Sequence, residues 1–382
     1  MEIWQTHSQG GLSYSAWDRL GGLDPDLLLV FGGVRHFERA GFTELLRGVF
    51  PRAAVAGCST AGEITREGVL EDHVVLTALK FQHPAFRVVT APLDRMEDSL
   101  DAGRRLGKGL ASPFEGQSLH SVLLFGQGVR VNGSALIQGL ADQIGPEVSI
   151  SGALAGDGGA FVRTYTISGE GVSSHCAVAV GFYGDSIQVR TASAGGWLPF
   201  GPVRRITRAS HNVLYELDHE PALDVYRRYL GEWAKDLPES GLLFPICVLD
   251  PDVHETGLIR TLLGIDESSR SLVLAGDVQE HTDARFMHAD TEGLLEGARA
   301  AARSALGDGT PPDLALLFSC VGRKLVLGGR ADQEIESVAE ELNGGTVLAG
   351  FYSHGEIGPH AGCFGSRLHN QTMTVTLLSE RP

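Results

Sequence analysis

The chain has 382 residues, of which 43% are hydrophobic and 20% charged, with a formal net charge of −16. That composition excludes a disordered chain, and an acid excess without a Lys/Arg-dense stretch excludes nucleic acid and anionic membrane surfaces as expected partners. No apolar run approaches the ~18 residues of a membrane span, the opening MEIWQTHSQGG does not read as a signal peptide, and five cysteines without CxxC or zinc spacing point to a reducing compartment, so the expectation is a cytoplasmic protein.

In chain order, residues 1–26 read as a short peripheral segment closed by Gly21-Gly22 and Asp24-Pro25. The run LLLVFGG from Leu27 reads as a strand buried on both faces. A helix follows, with Phe37, Ala40, Phe42, Leu45, Leu46 and Val49 at helical spacing, and then a second apolar run from Ala54. Val69 to Phe81 and Phe86 to Ala91 alternate as strands around the turn His83-Pro84, and Ser99 to Leu110 aligns Leu100, Leu106 and Leu110 on one helical face. A second strand–helix–strand unit covers 121–159, with its helix over 133–144. Thr164 to Ser168, His175 to Tyr183 and Ile187 to Thr191 read as antiparallel strands linked by Gly169-Glu170-Gly171 and Gly184-Asp185-Ser186. Residues 195–212, GGWLPFGPVRRITRASHN, read as the crossing between domains, with Arg204, Arg205 and Arg208 as a solvated or interface face in preference to a ligand clamp. Pro221 opens a helix that stops at Gly231. Residues 242–276 read as further strands and Thr291 to Leu306 as an Ala-rich helix. A third unit covers 314–359, with its helix over 333–342, and Gln371 to Leu378 reads as a strand.

One short pattern organises these elements. AVAGCSTAGEI from Ala54 and TVLAGFYSHGEI from Thr346 each end an apolar run in Ala-Gly, cross a short loop and reach Gly-Glu-Ile; VSISGALAGD from Val148 is a looser copy that ends in Gly156-Asp157. The recurrence predicts a repeated strand–helix–strand fold: mixed α/β, with antiparallel hairpins and two packed domains. Glycines at the strand ends suit either tight turns or close approach of a backbone or ligand. Three loops with matching acidic ends favour a shared pocket at the carboxyl ends of the strands. The candidate binding residues are Gly57, Cys58, Ser59, Thr60, Gly62, Glu63, Gly350, Tyr352, Ser353, Gly355 and Glu356.

A thiol-dependent enzyme is one alternative, with Cys58 or Cys320 activated by His354 or His369. Glu63, Glu356 and Asp157 suit an acid–base pair or capping of loop amides. No complete catalytic constellation and no nucleotide signature is present, so the chain is expected not to be an enzyme.

GCSTAGEI from Gly57, LLFSCVGR from Leu316, GFYSHGEIGP from Gly350 and LHNQTMTVTLL from Leu368 resemble the hallmark segments of the FIST family, bacterial intracellular sensory proteins built from a FIST N and a FIST C domain. The resemblance runs from about Leu27 to Leu378. It implies an N-terminal segment at 1–26, a FIST N-like domain at 27–205 and a FIST C-like domain at 206–382. It also implies a ligand sensor that signals through a separate partner, such as a histidine kinase or a cyclic-dinucleotide enzyme, with a homo-oligomer left open. One branch of the family, the NosP-type proteins, binds haem and responds to nitric oxide. On that reading the cofactor is haem b, held non-covalently for want of a CxxCH, with His354 as axial ligand and His288, His281, His360 and His369 as alternatives. The other ligand class in view is a small carboxylate or amino acid.

Overall fold

The computed structural model describes residues 1–9, 23–249, 257–307, 309, 311–342, 344–360 and 365–381. The fold is mixed α/β and built on the repeat. Each unit places a parallel strand pair at the middle of a six-stranded sheet: Leu27–Gly32 with Ala54–Ser59, Leu119–Gly126 with Ser149–Leu154, and Leu314–Cys320 with Val347–Ser353. Beside the first strand of each pair runs an antiparallel strand, Val74–Lys80, Cys176–Tyr183 or Met373–Glu380. Beyond it lies an edge strand, Glu2–Ser8, Phe86–Pro92 or Ile187–Ala194.

The other flank of each sheet is exchanged around the molecule. The hairpin that follows the first unit (Glu63–Thr65, Gly68–Leu70) joins the third sheet. The hairpin after the second unit (Thr166–Ser168, Gly171–Ser173) joins the first, and the hairpin after the third (Gly355–Pro359, Ser366–His369) joins the second. The three sheets are thereby interlocked in a ring, and they draw strands from both sides of residue 205.

The central strands are apolar throughout because both faces are covered. Inward residues such as Leu29, Phe31, Leu123, Phe125, Leu316 and Phe318 share one core. There Phe31 meets Phe125 edge-on at 5.6 Å and Phe125 meets Phe318 at 6.1 Å, with Phe351 at 4.8 Å from Phe31. Outward residues pack under helices: Leu28 and Val30 with Phe42–Val49, Val122 and Leu124 with Ser99–Ala111 and Gly133–Ile144, Ala315 and Leu317 with Thr291–Leu306 and Ala331–Leu342.

Several elements depart from the expectation. The first helical stretch is broken into Val34–Phe37 and Phe42–Val49 by Gly41 in the left-handed region. The opening segment supplies the edge strand Glu2–Ser8, while 10–22 of it lie outside the described residues. Most of the expected crossing, 195–212, is a strand, Leu198–Ser210. Pro202 falls in a register shift between Phe200 and Arg204, with Gly201 at φ +69°, while Pro199 stays in register opposite Met287 near the start of the strand. That strand lies within a fourth, eight-stranded sheet built from 198–288, which is inserted between the second and third units. Arg204, Arg205 and Arg208 pair there with Asp218, Asp283 and Glu216, as the solvated-face reading has it. Among the described residues no helix is long and apolar enough to cross a membrane.

Candidate functional site

The repeated glycines sit at one equivalent position. A methyl on Gly57 would come within 1.9 Å of the Val30 carbonyl oxygen, on Gly152 within 2.1 Å of that of Leu124, and on Gly350 within 1.9 Å of that of Leu317. What each glycine admits is the backbone of the neighbouring parallel strand.

The acidic ends of the first and third copies are also equivalent. Glu63 accepts from the Thr60 hydroxyl and, at 2.8 Å, from the His73 amide. Glu356 accepts from the Ser353 hydroxyl at 2.7 Å and from the amide and hydroxyl of Thr372 at 3.1 and 2.9 Å. Both side chains are fully buried. Burial pushes their pKa values up, to about 7 for Glu63 and about 8 for Glu356, against the opposing pull of those hydrogen bonds. The second copy differs: Thr166, which pairs opposite Cys58, stands where Glu63 faces Phe351 and Glu356 faces Ala153.

Asp157 takes another role. Its carboxylate accepts from the amides of Phe161, Val162 and Arg163 at 2.9, 2.7 and 3.1 Å and lies 3.2 Å from His354 Nε2. Burial alone would raise its pKa; the bonds from His354 and the three amides outweigh it and hold the group below the usual carboxylate range. His354 Nδ1 faces the Gly128 carbonyl at 3.3 Å, and Phe161 stacks on the ring at 4.2 Å. Both ring nitrogens therefore face acceptor oxygens.

The remaining expected binding residues are buried around these groups. Ser59 Oγ donates to the Gly156 carbonyl and accepts from the Tyr165 amide. Tyr352 donates its hydroxyl to Glu334 at 2.8 Å, and its amide to the Gly62 carbonyl. Gly355 donates to Ser353 Oγ. The first and third motifs thus come together as the sequence pattern suggests, and each fills the space beside the other.

Cys58 and Cys320 lie in the same packed region, Cys247 in the inserted sheet and Cys176 at the start of the strand Cys176–Tyr183. Burial raises the pKa of Cys58 and of Cys320, and pushes Cys247 up to about 11. Neither expected thiol is activated as a nucleophile requires. Cys363 lies outside the described residues.

The other histidines are dispersed. His369 is buried, with Nε2 3.2 Å from the Gly358 carbonyl and its pKa pulled down to about 3, first by burial and then by His360. His281 and His288 are exposed at opposite ends of the strand Asp283–His288. His360 stands 5.6 Å from His369, ring to ring, and lines a cavity of about 670 Å³.

That cavity lies between the helix Gly133–Ile144, the strands Ile246–Leu249 and Gly257–Arg260 of the inserted sheet, and the hairpin at 355–369. Its wall mixes apolar groups such as Ile137 and Leu258 with Arg260, Arg367, Asp142 and Asp277. Of the residues singled out from sequence, only the alternative haem ligand His360 lies on this wall. The one available signal for the rest was an arginine inside the apolar run GLIRTLLG.

Comparison with known proteins places the chain among sensory proteins. The family model for the FIST N domain matches residues 26–220, and that for the FIST C domain matches 222–359. An uncharacterized protein of Mycobacterium bovis is 29% identical across 95% of this chain and 92% of its own length. An uncharacterized protein of Mycobacterium tuberculosis is 33% identical over 48% of this chain and 49% of its own. Among solved structures, cyanuric acid hydrolase from A. caulinodans aligns over 99% of both chains at 10% identity and a TM-score of 0.37. The expectation of a non-enzyme is corrected on this point, since that neighbour is an enzyme; a likeness of that size assigns no reaction to this chain.

Proposed function

The chain belongs to the FIST family, whose domains are sensory ligand-binding modules, and from that premise we propose that it holds a small molecule in the 670 Å³ cavity and reports occupancy to a separate signalling protein in the cytoplasm, a histidine kinase or a cyclic-dinucleotide enzyme. The cavity has the size of ordinary small-molecule sites, roughly 300–1,000 Å³. The observation that carries the reading is the placement of the hairpin at 355–369. Its first strand continues directly from the third repeat and is fastened there through Glu356. Its second strand contributes Ser366, Arg367 and Leu368 to the cavity wall. A ligand that presses on this hairpin acts on the junction between the second and third sheets, which is a route from occupancy to shape.

Haem b, with nitric oxide as the signal, is a second reading, favoured by His360 on the wall of the same cavity beside Ile137 and Leu258. The histidines fit a haem unequally. His354 does not fit, because both nitrogens already face oxygens and Phe161 covers its ring. His360 fits best: it would hold the iron, with Arg367 the cation at hand for a propionate. Bound haem would supply an iron centre open to a diatomic gas.

Titration of the purified protein with haem b, followed by absorbance with and without nitric oxide, tests the second reading. A Soret band that shifts with the gas and is lost in His360→Ala but kept in His354→Ala supports it. Thermal-shift screening of small metabolites against wild type and the cavity-filling variant Ala141→Trp tests the first. Saturable binding that Ala141→Trp abolishes supports the cavity; binding that this variant leaves untouched overturns it.

A further inference from the structure

Among the described residues, Arg260 is a charged group without a counter-ion. Its residue is 4% exposed, and among the described residues its hydrogen bonds run to carbonyls: Nε to Asp277 at 3.1 Å, Nη1 to Ile259 at 3.3 Å and to Leu368 at 3.1 Å. Nη2 has no acceptor among the described residues, and no carboxylate among them lies within ion-pair distance of the guanidinium. The nearest acidic influence is Asp277, whose carboxylate is engaged with the Asn132 side-chain amide at 3.1 Å. Burial pulls the Arg260 pKa down to about 10, so the group remains a cation at neutral pH.

Burying a guanidinium without a partner charge is costly, and arginine is the residue suited to buried sites that a carboxylate or phosphate completes. Elsewhere this chain satisfies that rule: the fully buried Arg323 is paired with Glu334 at 2.6 Å. Arg260 differs from Arg323 in one respect, because it lines the cavity. Arg367 adds a second, exposed cation on the same wall.

We infer that Arg260 is the anion-recognition group of the cavity, and that the ligand is a small molecule with a carboxylate, which the Arg260 guanidinium receives. The inference rests on the cavity being the ligand site. The ring of acceptors already on Arg260 fixes its plane, so a carboxylate would meet a pre-oriented donor. Asp142 and Asp277 on the same wall give an ammonium group a place as well. A plain carboxylate and an α-amino acid therefore share the anionic contact and differ in the second one.

The test is isothermal calorimetry on the full chain at millimolar ligand, with carboxylates of two to about six carbons and their α-amino counterparts, each compared with its neutral amide. Carboxylates should bind and their amides should bind at least about tenfold more weakly, as loss of a charge-assisted contact requires. Arg260→Gln should remove that discrimination and Arg260→Lys should retain part of it, with thermal melts showing both variants folded. Preference for the amino acid over the plain carboxylate, lost in Asp277→Asn, would select the zwitterion. Equal binding of acid and amide, discrimination that survives Arg260→Gln, or no carboxylate binding at all overturns the inference. Carboxylate binding that is discriminating but indifferent to Ala141→Trp overturns the cavity reading instead.

Discussion

Glu63 and Glu356 hold the same post in two different units. Each opens a hairpin that leaves its own unit for a neighbour's sheet, and each is bonded by a hydroxyl three residues earlier and by the amide of the residue that precedes its unit's next long strand. The residues just before those amides, Asp72 and Gln371, share the left-handed backbone at φ 57° and 59°. The carboxyl groups are therefore fasteners of the exchanged hairpins, which accounts for the Gly-Glu-Ile ending that recurs in the sequence.

The fasteners carry a pH signature. Their folded pKa values lie above the ordinary 4.5, at about 7 and about 8. A raised acid pKa means that the folded state favours the proton, so the associated stability is complete below the unfolded value and is lost as pH rises through 7 and 8. The melting temperature should fall from about pH 4.5 to about pH 8 and level off above that. Glu356→Gln mimics the neutral acid and should flatten that decline, recovering a few kcal/mol at the alkaline end. Thermal melts across pH check this; a variant that declines as steeply as wild type contradicts the assignment.

The glycines separate by what lies beside them. Gly350→Ala should cost about 3 kcal/mol or more, because its methyl meets a backbone oxygen at 1.9 Å that cannot withdraw without breaking the strand pair. Gly355→Ala meets side-chain methyls, Leu368 at 3.0 Å and Leu154 at 3.3 Å, with the nearest backbone oxygen at 3.6 Å, and should cost about 1 kcal/mol. Urea unfolding of the two variants gives the comparison directly.

Much of this architecture was legible in sequence, and the limits have physical causes. The helices Gly133–Ile144 and Thr291–Leu306 appear where the 3.6-residue pattern puts them, because one face meets a sheet and the other solvent. The glycine and acid positions of the repeat were visible too, but not what they touch. Gly57 and Gly350 read alike as pocket or packing residues until the carbonyls of Val30 and Leu317 are placed beside them. Hairpin exchange left no local trace, since Glu63–Thr65 pairs with Val347–Ser353 far along the chain. Leu198–Ser210 was obscured by Pro199 and Pro202, which read as breakers unless the strand's start and its bulge are known. Arg260 is one charge in an apolar run, and sequence does not show that its partners among the described residues are carbonyls.

Thiol labelling should follow burial. Cys176 is partly exposed, whereas Cys58, Cys247 and Cys320 are buried with raised pKa values. Among these four, iodoacetamide at neutral pH should modify Cys176 first, and the other three only on unfolding. Peptide mass mapping over time reads the order; early modification of Cys58 or Cys320 would restore the nucleophile reading.

The last expectation concerns the interior of the third unit. Arg323 and Glu334 are both fully buried and joined at 2.6 Å between Nη2 and Oε1. Ser319 and Tyr352 donate to the other oxygen of Glu334, at 3.0 and 2.8 Å, and Arg323 also donates to the carbonyls of Gly195, Leu294 and Gln371. The pair thus ties the helix Ala331–Leu342 to the motif residue Tyr352 and to the entry of the inserted sheet. Glu334→Leu leaves a buried cation and two hydroxyls without their acceptor, and should destabilise by about 3–5 kcal/mol. Adding Arg323→Met removes the orphaned charge and should recover a large part of that loss, because an apolar replacement of a buried ion pair is often close to neutral. A double-mutant cycle in urea measures the coupling. If the double variant is no more stable than Glu334→Leu alone, the carbonyl contacts of Arg323, and not its charge pairing, hold this junction together.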